Sequence, residues 1–465
     1  MAGIEDHRAF LDCGPGDGVI RPDDPETAMK IEGTKVLVVG MEKSGRASAE
    51  FLRARGAVVT TTDLKPHDVP GFRLQTDAIF ADPWELMVLS PGVPADLPPI
   101  DAARARGVDV IGEVELAAAY LKGPVIGITG SNGKTTTTSL VGHILKSSGA
   151  PVQVGGNIGT PVIAMTETSR PDQWNVLELS SFQLETIRTF RAQIGVCLNV
   201  TQNHLDRHYT LDRYAAAKGN LFRLQKPGDY AVLNADDEYC RSFAHTTAAT
   251  PVWFSQWDPV RDWFIFEEQI WCGTEALMPL KDIPIPGLHN AENVMAAAAA
   301  TKIAGIPMEK IAASVRTFQA VEHRLEFVAE LVGVRFYNDS KATSVDATVK
   351  ALDSFDGNLW VILGGKDKGS DYTVLRDRLH RKARAALLIG AAADKIASQL
   401  EGATRLIHAG TLERAIAEAW SNARPGDTVL LAPACASFDQ FESYEHRGRV
   451  FKQLVKGLED HGAAA

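Results

Sequence analysis

The feature that most narrows the fold is Thr129-Gly130-Ser131-Asn132-Gly133-Lys134-Thr135-Thr136, set directly between an apolar run, Val125-Ile126-Gly127-Ile128, and a stretch of helical patterning. A strand that feeds a glycine-rich turn into a helix lets the backbone wrap closely around an anion. The free N–H groups of the helix's first turn then point at it. In such a loop Lys134 neutralises β/γ-phosphate charge and the Thr135 hydroxyl ligates Mg²⁺. The expected nucleotide contacts are Gly130, Ser131, Asn132, Gly133, Lys134, Thr135, Thr136 and Thr137. The spacing G-x-x-x-x-G-K-[ST] would need Gly at position 128, where Ile128 stands, so the loop is a shortened variant. A turn that only caps a helix is the plainer alternative.

Short apolar runs alternate with helical patterns along most of the chain, which implies parallel sheets with helices on their faces. A first unit opens with Lys35–Gly40, a helical stretch, Ala57–Thr60 and the sharply ended run Met87–Gly92. Gly40-x4-Gly45 is not the dinucleotide fingerprint G-x-G-x-x-G, but a strand-to-helix turn facing an anion remains. A second unit has strands at 125–129, 176–179, 195–200 and 231–233, a Trp-rich β segment near 252–280 and the Ala-rich helix 291–304. The third runs through strands at 334–337, 359–363, 386–389 and 428–431. The expectation is α/β with three domains, 35–120, 121–321 and 322–465, after a loose polar leader, 1–34, in which Met29 is an alternative start.

A net charge of −10 argues against a broad grip on nucleic acid or anionic membrane. Cys13, Cys197, Cys240, Cys272 and Cys435 lie far apart and are odd in number, which reads as reduced thiols in a cytoplasm. No signal peptide or membrane-spanning run is evident, and nothing argues for an oligomer, so a cytoplasmic monomer is expected.

Glu178, near a strand's end beside the phosphate loop, is a natural Mg²⁺ ligand, and taken alone it is equally a surface salt-bridge residue. Asn199-Val200-Thr201-Gln202-Asn203-His204-Leu205-Asp206-Arg207 follows another strand end, where ligand sites of α/β folds gather. Cys435 invites a nucleophile reading, but no general base is evident near it, and a buried small residue is the expectation.

Together with Glu178-Leu179-Ser180-Ser181-Phe182-Gln183-Leu184, Gly287-Leu288-His289-Asn290-x-x-Asn293, Glu322-His323-Arg324 and Asn338-Asp339-Ser340-Lys341-Ala342-Thr343, the phosphate loop resembles the Mur ligase family from about residue 35 to 455. The resemblance implies an N-terminal Rossmann-like uridine-nucleotide domain, a central P-loop-like ATPase and a C-terminal Rossmann-like domain. It implies metal ligation by Thr135, Glu178, His204 and a carbamylated Lys218, with two Mg²⁺ sites, and catalytic roles for Lys134, His204, Lys218 and Lys341. Asn203 departs from the Asp usual before that histidine. Asn290 would face adenine, Arg324 a phosphate and Asp339 the ATP ribose. The uridine substrate would meet Gly40, Ser44, Gly45, Asp63, Ser90, Asn157 and Ser181, although Asp63-Leu64-Lys65 departs from the Asp-Thr-Arg of some relatives.

Asn338–Thr343 is the run of D-glutamate-adding members, and Pro433-Ala434-Cys435-Ala436-Ser437-Phe438-Asp439 resembles their P-A-C-A-S-x-D motif. Thr343, Lys368, Ser437, Phe438 and Tyr444 would hold D-glutamate, with Lys366 a rival for the lysine's part and Tyr444 standing where Phe is common. The implied reaction uses ATP to phosphorylate the carboxylate of UDP-N-acetylmuramoyl-L-alanine, and the D-glutamate amine then displaces phosphate. Rivals are a folate polyglutamylating ligase, disfavoured by Asn338–Thr343, and a P-loop switch or motor NTPase, disfavoured by Ile128. A non-enzymatic nucleotide-binding adaptor would leave three loops of reactive residues without a use.

Overall fold

The computed structural model describes residues 30–319 and 321–462. Cys13, Met29 and the expected leader as far as residue 29 lie outside the described residues. Residues 30–34, expected as the leader's end, pack instead: Ile31 is buried and Gly33 N–H donates to Gly56 O at 2.9 Å. The chain is α/β and divides into two compact units. One takes residues up to Ser131 with Ile144–Val252 and Ala298–Ile311; the other takes Asn132–His143, Trp253–Ala297 and the chain from Ala312.

The first unit holds a parallel sheet of β1 (Lys35–Val39), β2 (Val58–Asp63), β3 (Phe72–Leu74), β4 (Leu86–Leu89) and β5 (Asp109–Gly112), in the order β3-β2-β1-β4-β5. A second parallel array joins β6 (Val125–Thr129), β7 (Val152–Gly156), β8 (Trp174–Glu178), β9 (Ile194–Cys197) and β10 (Tyr230–Asn234), in the order β10-β9-β6-β8-β7. Every residue of β4 and β6 is buried, as continuous apolar runs must be when helices cover both faces of a sheet. In each array the strand order reverses beside the first strand, β1 or β6. The loops leaving the carboxyl ends there run apart and open a crevice. Glu115, one turn into the helix Glu113–Ala118, accepts from the N–H groups of Arg188, Thr189 and Phe190 at 2.7, 2.8 and 3.2 Å. A buried carboxylate with three donors is a strong tie, and it fastens the segment after β5 to the one before β9.

β11 (Thr250–Ser255) crosses from one unit to the other. The second unit continues with the antiparallel strands β12 (Trp263–Phe266), β13 (Gln269–Cys272) and β14 (Glu275–Pro279), in the expected Trp-rich segment. Its main sheet comprises β15 (Glu326–Leu331), β16 (Val334–Asn338), β17 (Leu359–Gly364), β18 (Ala383–Ile389), β19 (Leu406–Gly410) and β20 (Thr428–Leu431). Their order is β15-β16-β20-β17-β18-β19, parallel except for the β15–β16 hairpin. Apolar clusters lie on both faces, one around Leu363 and Leu388 and the other around Ile362 and Leu387. Among the described residues no helix is long and apolar enough to cross a membrane, and no two cysteines form a disulfide.

Candidate functional site

At the switch point of the first sheet the structure brings together Gly40, Asp63 and Ser90. Ser90 Oγ donates to Gly40 O at 2.7 Å, and Asp63 accepts from the N–H groups of Met41 at 2.6 Å and Lys65 at 3.1 Å. Burial pushes the Asp63 carboxyl up, but these backbone N–H bonds together with the nearby His67 outweigh it and hold the group below its ordinary value. Asp63 thus clamps the turn that starts the helix Lys43–Ala54, which carries Ser44 and Gly45.

At the second switch point Glu178 is the last residue of β8 and is buried. Its Oε1 accepts from Asn157 Nδ2 at 2.8 Å, while Oε2 has no hydrogen-bond partner. An orphaned carboxylate oxygen inside a protein is costly, and a divalent cation or its water would satisfy it. Lys218, on the helix Leu211–Arg223, is buried with Nζ donating to Gly130 O at 2.8 Å and lying 4.4 Å from the Tyr214 ring centroid. A lysine turned inward onto the phosphate loop is not the solvated helix residue that its sequence context alone suggests.

His204 is exposed, at a left-handed φ of 53°, with its ring 5.0 Å from that of Phe182. Asn203 Oδ1 accepts the His204 N–H at 3.0 Å, so the amide still serves as a local acceptor. The residue that meets Ser181 is His208: its Nε2 lies 2.9 Å from Ser181 Oγ and its Nδ1 3.2 Å from Glu185 Oε1. Glu185, raised by burial, also takes Arg207 at 2.7 Å. Sequence reasoning missed this Ser181–His208–Glu185 cluster, because its members join only through the fold. Among the described residues no three His, Cys, Asp or Glu side chains form a ready-made metal cluster. The expected ligand set instead counts a threonine and a lysine, with Thr135 in one unit and the other three in the other.

In the second unit a cleft enclosing about 630 Å³, open solvent included, gathers residues from four stretches of sequence. Asn132, Gly133 and Thr136 of the phosphate loop share it with Asn290, Arg324, Asp339 and Lys341. Gly133 has φ 84°, a conformation that suits the glycine just ahead of the helix Lys134–Ser147. Arg324 donates to Thr135 Oγ1 at 2.9 Å, and its neighbours His323 and Leu325 stand at φ 67° and 42°, strain of the kind that collects at ligand sites. Thr137, Asn293 and Asn290 form a chain of side-chain hydrogen bonds of 3.2 and 2.9 Å that fixes Asn290 at the cleft wall. Burial pushes Asp339 up to about 7 against the opposing charge of Arg324, and burial beside Lys350 pushes His289 down to about 4.

The loops leaving β16, β17 and β20 carry the residues expected for the amino acid, all within this unit. Lys341 Nζ lies 3.8 Å over the Tyr444 ring, a cation–π contact that orients the ammonium. Ser437 is buried, Thr343 half-buried, and Lys368 and Phe438 exposed. Beneath them Arg447 is wholly buried, giving hydrogen bonds to Ser340 Oγ at 3.0 Å, Ser340 O at 2.9 Å and Cys435 O at 3.3 Å. It ties the loop of Lys341 to that of Ser437, a structural part sequence reasoning did not give it. Cys435 is buried as expected; burial raises its thiol, the wrong direction for a nucleophile.

A family model described as Mur ligase middle domain matches residues 128–301, and one described as Mur ligase, glutamate ligase domain matches residues 323–435. The UDP-N-acetylmuramoylalanine–D-glutamate ligase of Solibacter usitatus is 63% identical over 445 residues, 93% of this chain and 99% of its own. The protein of that name from Koribacter versatilis is 51% identical over 449 residues, 92% of this chain and 99% of its own. Among solved structures, the UDP-N-acetylmuramate–alanine ligase of Thermotoga maritima superposes with a TM-score of 0.60 at 18% identity, covering 93% of this chain and 100% of that one, a likeness of fold.

Proposed function

The chain belongs to the Mur ligase family, and from that premise we propose that it joins D-glutamate to UDP-N-acetylmuramoyl-L-alanine at the expense of ATP, a step of peptidoglycan precursor synthesis. The observation that carries the reading is the cleft of the second unit, where phosphate-loop residues line the same space as Asn290, Arg324, Asp339 and Lys341. Cationic, amide and carboxylate groups converging on a glycine-rich helix start suit a nucleoside triphosphate. The finer division goes with it: a uridine-nucleotide domain at 35–120, an ATP domain at 121–321 and an amino-acid domain at 322–465, in a cytoplasmic monomer.

The chemistry needs activation, because a carboxylate cannot expel O²⁻ when an amine attacks it. A carboxylate oxygen of UDP-N-acetylmuramoyl-L-alanine takes the γ-phosphoryl group and ADP leaves. The D-glutamate amine then adds to the acyl carbon, phosphate departs with the bonding pair, and the amine loses a proton. Lys134 and Arg324 stabilise charge on the transferring phosphoryl group, with Arg324 steadied by Thr135. Asn290 and Asp339 line the nucleotide's end of the cleft, and Lys341, oriented by Tyr444, serves the carboxylate being activated. Asn157 and Ser181 orient the muramoyl-alanine end, while Gly40, Ser44, Gly45, Asp63 and Ser90 hold the uridine nucleotide. Mg²⁺ would be held by Thr135, Glu178, His204 and carbamylated Lys218, across two sites, and would offset phosphate repulsion. The orphaned Glu178 Oε2 and the inward Lys218 support that assignment. Loss of a proton from the Lys218 ammonium frees its amine to add to CO₂, and release of a second proton leaves a carbamate anion that would be able to hold Mg²⁺ where an ammonium would repel it.

The test is phosphate release from protein supplied with ATP, Mg²⁺ and UDP-N-acetylmuramoyl-L-alanine, with D-glutamate, L-glutamate, L-alanine or no amino acid. Release that needs D-glutamate, with a UDP-linked dipeptide product, is expected. Release indifferent to the amino acid would leave an ATPase and refute the amino-acid site. A carbamate carbon in the ¹³C spectrum with labelled bicarbonate, lost in Lys218→Ala, would test the lysine separately.

A further inference from the structure

The loop after β17 sets Asp367 between two exposed lysines, Lys366 and Lys368. A fixed carboxylate there would neutralise the cation meant for the substrate, or repel a dicarboxylate outright. The structure shows where its charge is spent. Asp367 Oδ2 accepts from Lys395 Nζ at 2.7 Å, and Oδ1 accepts from Tyr372 OH at 2.8 Å and Ser370 N–H at 3.1 Å. Among the described residues neither Lys366 nor Lys368 has an ion-pair partner.

Lys395 comes from the helix Ala393–Leu400, so the counter-charge belongs to a different element from the loop. Tyr372 is fully buried, and its OH also lies 2.9 Å from Cys435 Sγ, which links this loop to the one after β20. Two backbone bonds, Lys366 N–H to Ala436 O at 2.8 Å and Ala436 N–H to Lys366 O at 3.2 Å, complete the union. Gly365, at φ 134°, permits it, since a Cβ there would fall 2.2 Å from Ala436 O. The loops bearing Lys368 and Ser437 are therefore one piece.

We propose that Lys395 and Tyr372 are positioning residues of the amino-acid site: they hold the Asp367 carboxylate on the helix side and leave the Lys368 ammonium to the side-chain carboxylate of the incoming glutamate. The inference rests on the D-glutamate site proposed above and adds the device that keeps its cation available. Without Lys395, Asp367 turns to its neighbouring lysines and competes with substrate. The consequence is confined to one KM, because Lys395 is not among the residues that line the cleft.

The experiment is steady-state kinetics of the full chain with each substrate varied in turn, for wild type, Lys395→Met, Lys395→Arg, Tyr372→Phe, Asp367→Asn and the double variant Asp367→Asn/Lys395→Met. Lys395→Met should raise the KM for D-glutamate roughly three- to fivefold, the upper range for one partly exposed charge pair, with kcat and the KM values for ATP and the uridine nucleotide unchanged. Tyr372→Phe should move the same constant in the same direction, and Lys395→Arg should restore it. In the double variant, with no carboxylate left to restrain, the KM should return to within about twofold of wild type. A double variant as impaired as Lys395→Met would make the contact merely structural and overturn the proposal, as would an unchanged KM in Lys395→Met. Should Lys395→Met not fold, Tyr372→Phe decides: an unchanged KM for D-glutamate overturns the proposal. Wild type that releases phosphate without D-glutamate would instead sink the underlying site assignment.

Discussion

Replacing Glu113 by Gln should change how stability depends on pH, and the size of the change follows from where the carboxyl sits. Glu113 is buried; Oε1 accepts the Ile163 N–H at 2.7 Å, while Oε2 has no partner, the Gln183 side chain lying near enough only to moderate the shift. Burial pushes the group from 4.5 up to about 7. The folded chain therefore keeps a proton that the unfolded chain releases near 4.5. Between those values the unfolded state binds fewer protons, so stability falls as pH rises and the loss is complete above about 7. At about 1.36 kcal/mol per unit, a shift of roughly 2.5 units sets a ceiling near ~3.4 kcal/mol. Glutamine does not titrate and keeps an acceptor for Ile163. Urea unfolding of both proteins at pH 5 and pH 8.5, followed by tryptophan fluorescence, should show the variant gaining about 2–3 kcal/mol on wild type between the two pH values. Asp339, also raised to about 7, is common to both proteins and cancels in the comparison. Parallel pH profiles for the two proteins would refute the reasoning.

Arg324→Ala removes the guanidinium that meets Thr135 in the cleft; kcat/KM for ATP should fall about tenfold to a hundredfold, with little change in melting temperature. Arg447→Met strips the partners from Ser340 O and Cys435 O in a wholly buried place. It should cost about 3 kcal/mol or more, read as a lower denaturant midpoint, because carbonyls that keep no donor bear their full desolvation penalty. Lys218→Ala removes both the donor to Gly130 O and the proposed metal ligand; D-glutamate-dependent phosphate release should drop about a hundredfold or more while circular dichroism stays unchanged.

How much of this could be read from sequence depended on where each strand lies in its sheet. The runs recognised directly, among them Lys35–Gly40, Val125–Thr129 and Leu359–Leu363, are interior strands buried on both faces and so continuously apolar. β3, β5, β15 and β19, which went unrecognised, are all edges. β3 has three residues, β5 mixes in Asp109 and Gly112, and β15 and β19 are mostly half-buried or exposed, so none presents a sustained apolar run.

The site divides along a related line. Loops that follow the carboxyl ends of interior strands could be found, because glycines, a lysine and hydroxyls crowd into a few consecutive positions. Asn132, Gly133 and Thr136 and, far along the chain, Asp339 and Lys341 do line one cleft. What stayed hidden were side chains whose meaning lies in a distant partner. His208 has no mark in the sequence beyond its place directly after the run Asn199–Arg207, and only the fold sets it against Ser181 and Glu185. Lys395 looks like one more lysine on a surface helix until its ammonium is found on Asp367, 28 residues away. Local sequence displays the groups able to touch a substrate, since the chemistry dictates their types and close spacing. It does not display the groups that keep those residues charged, neutral or aimed, because any element that reaches them can supply such help. That second class is where an exchange made elsewhere in the fold would alter catalysis while every motif stayed intact, and Lys395 is the place to look for it.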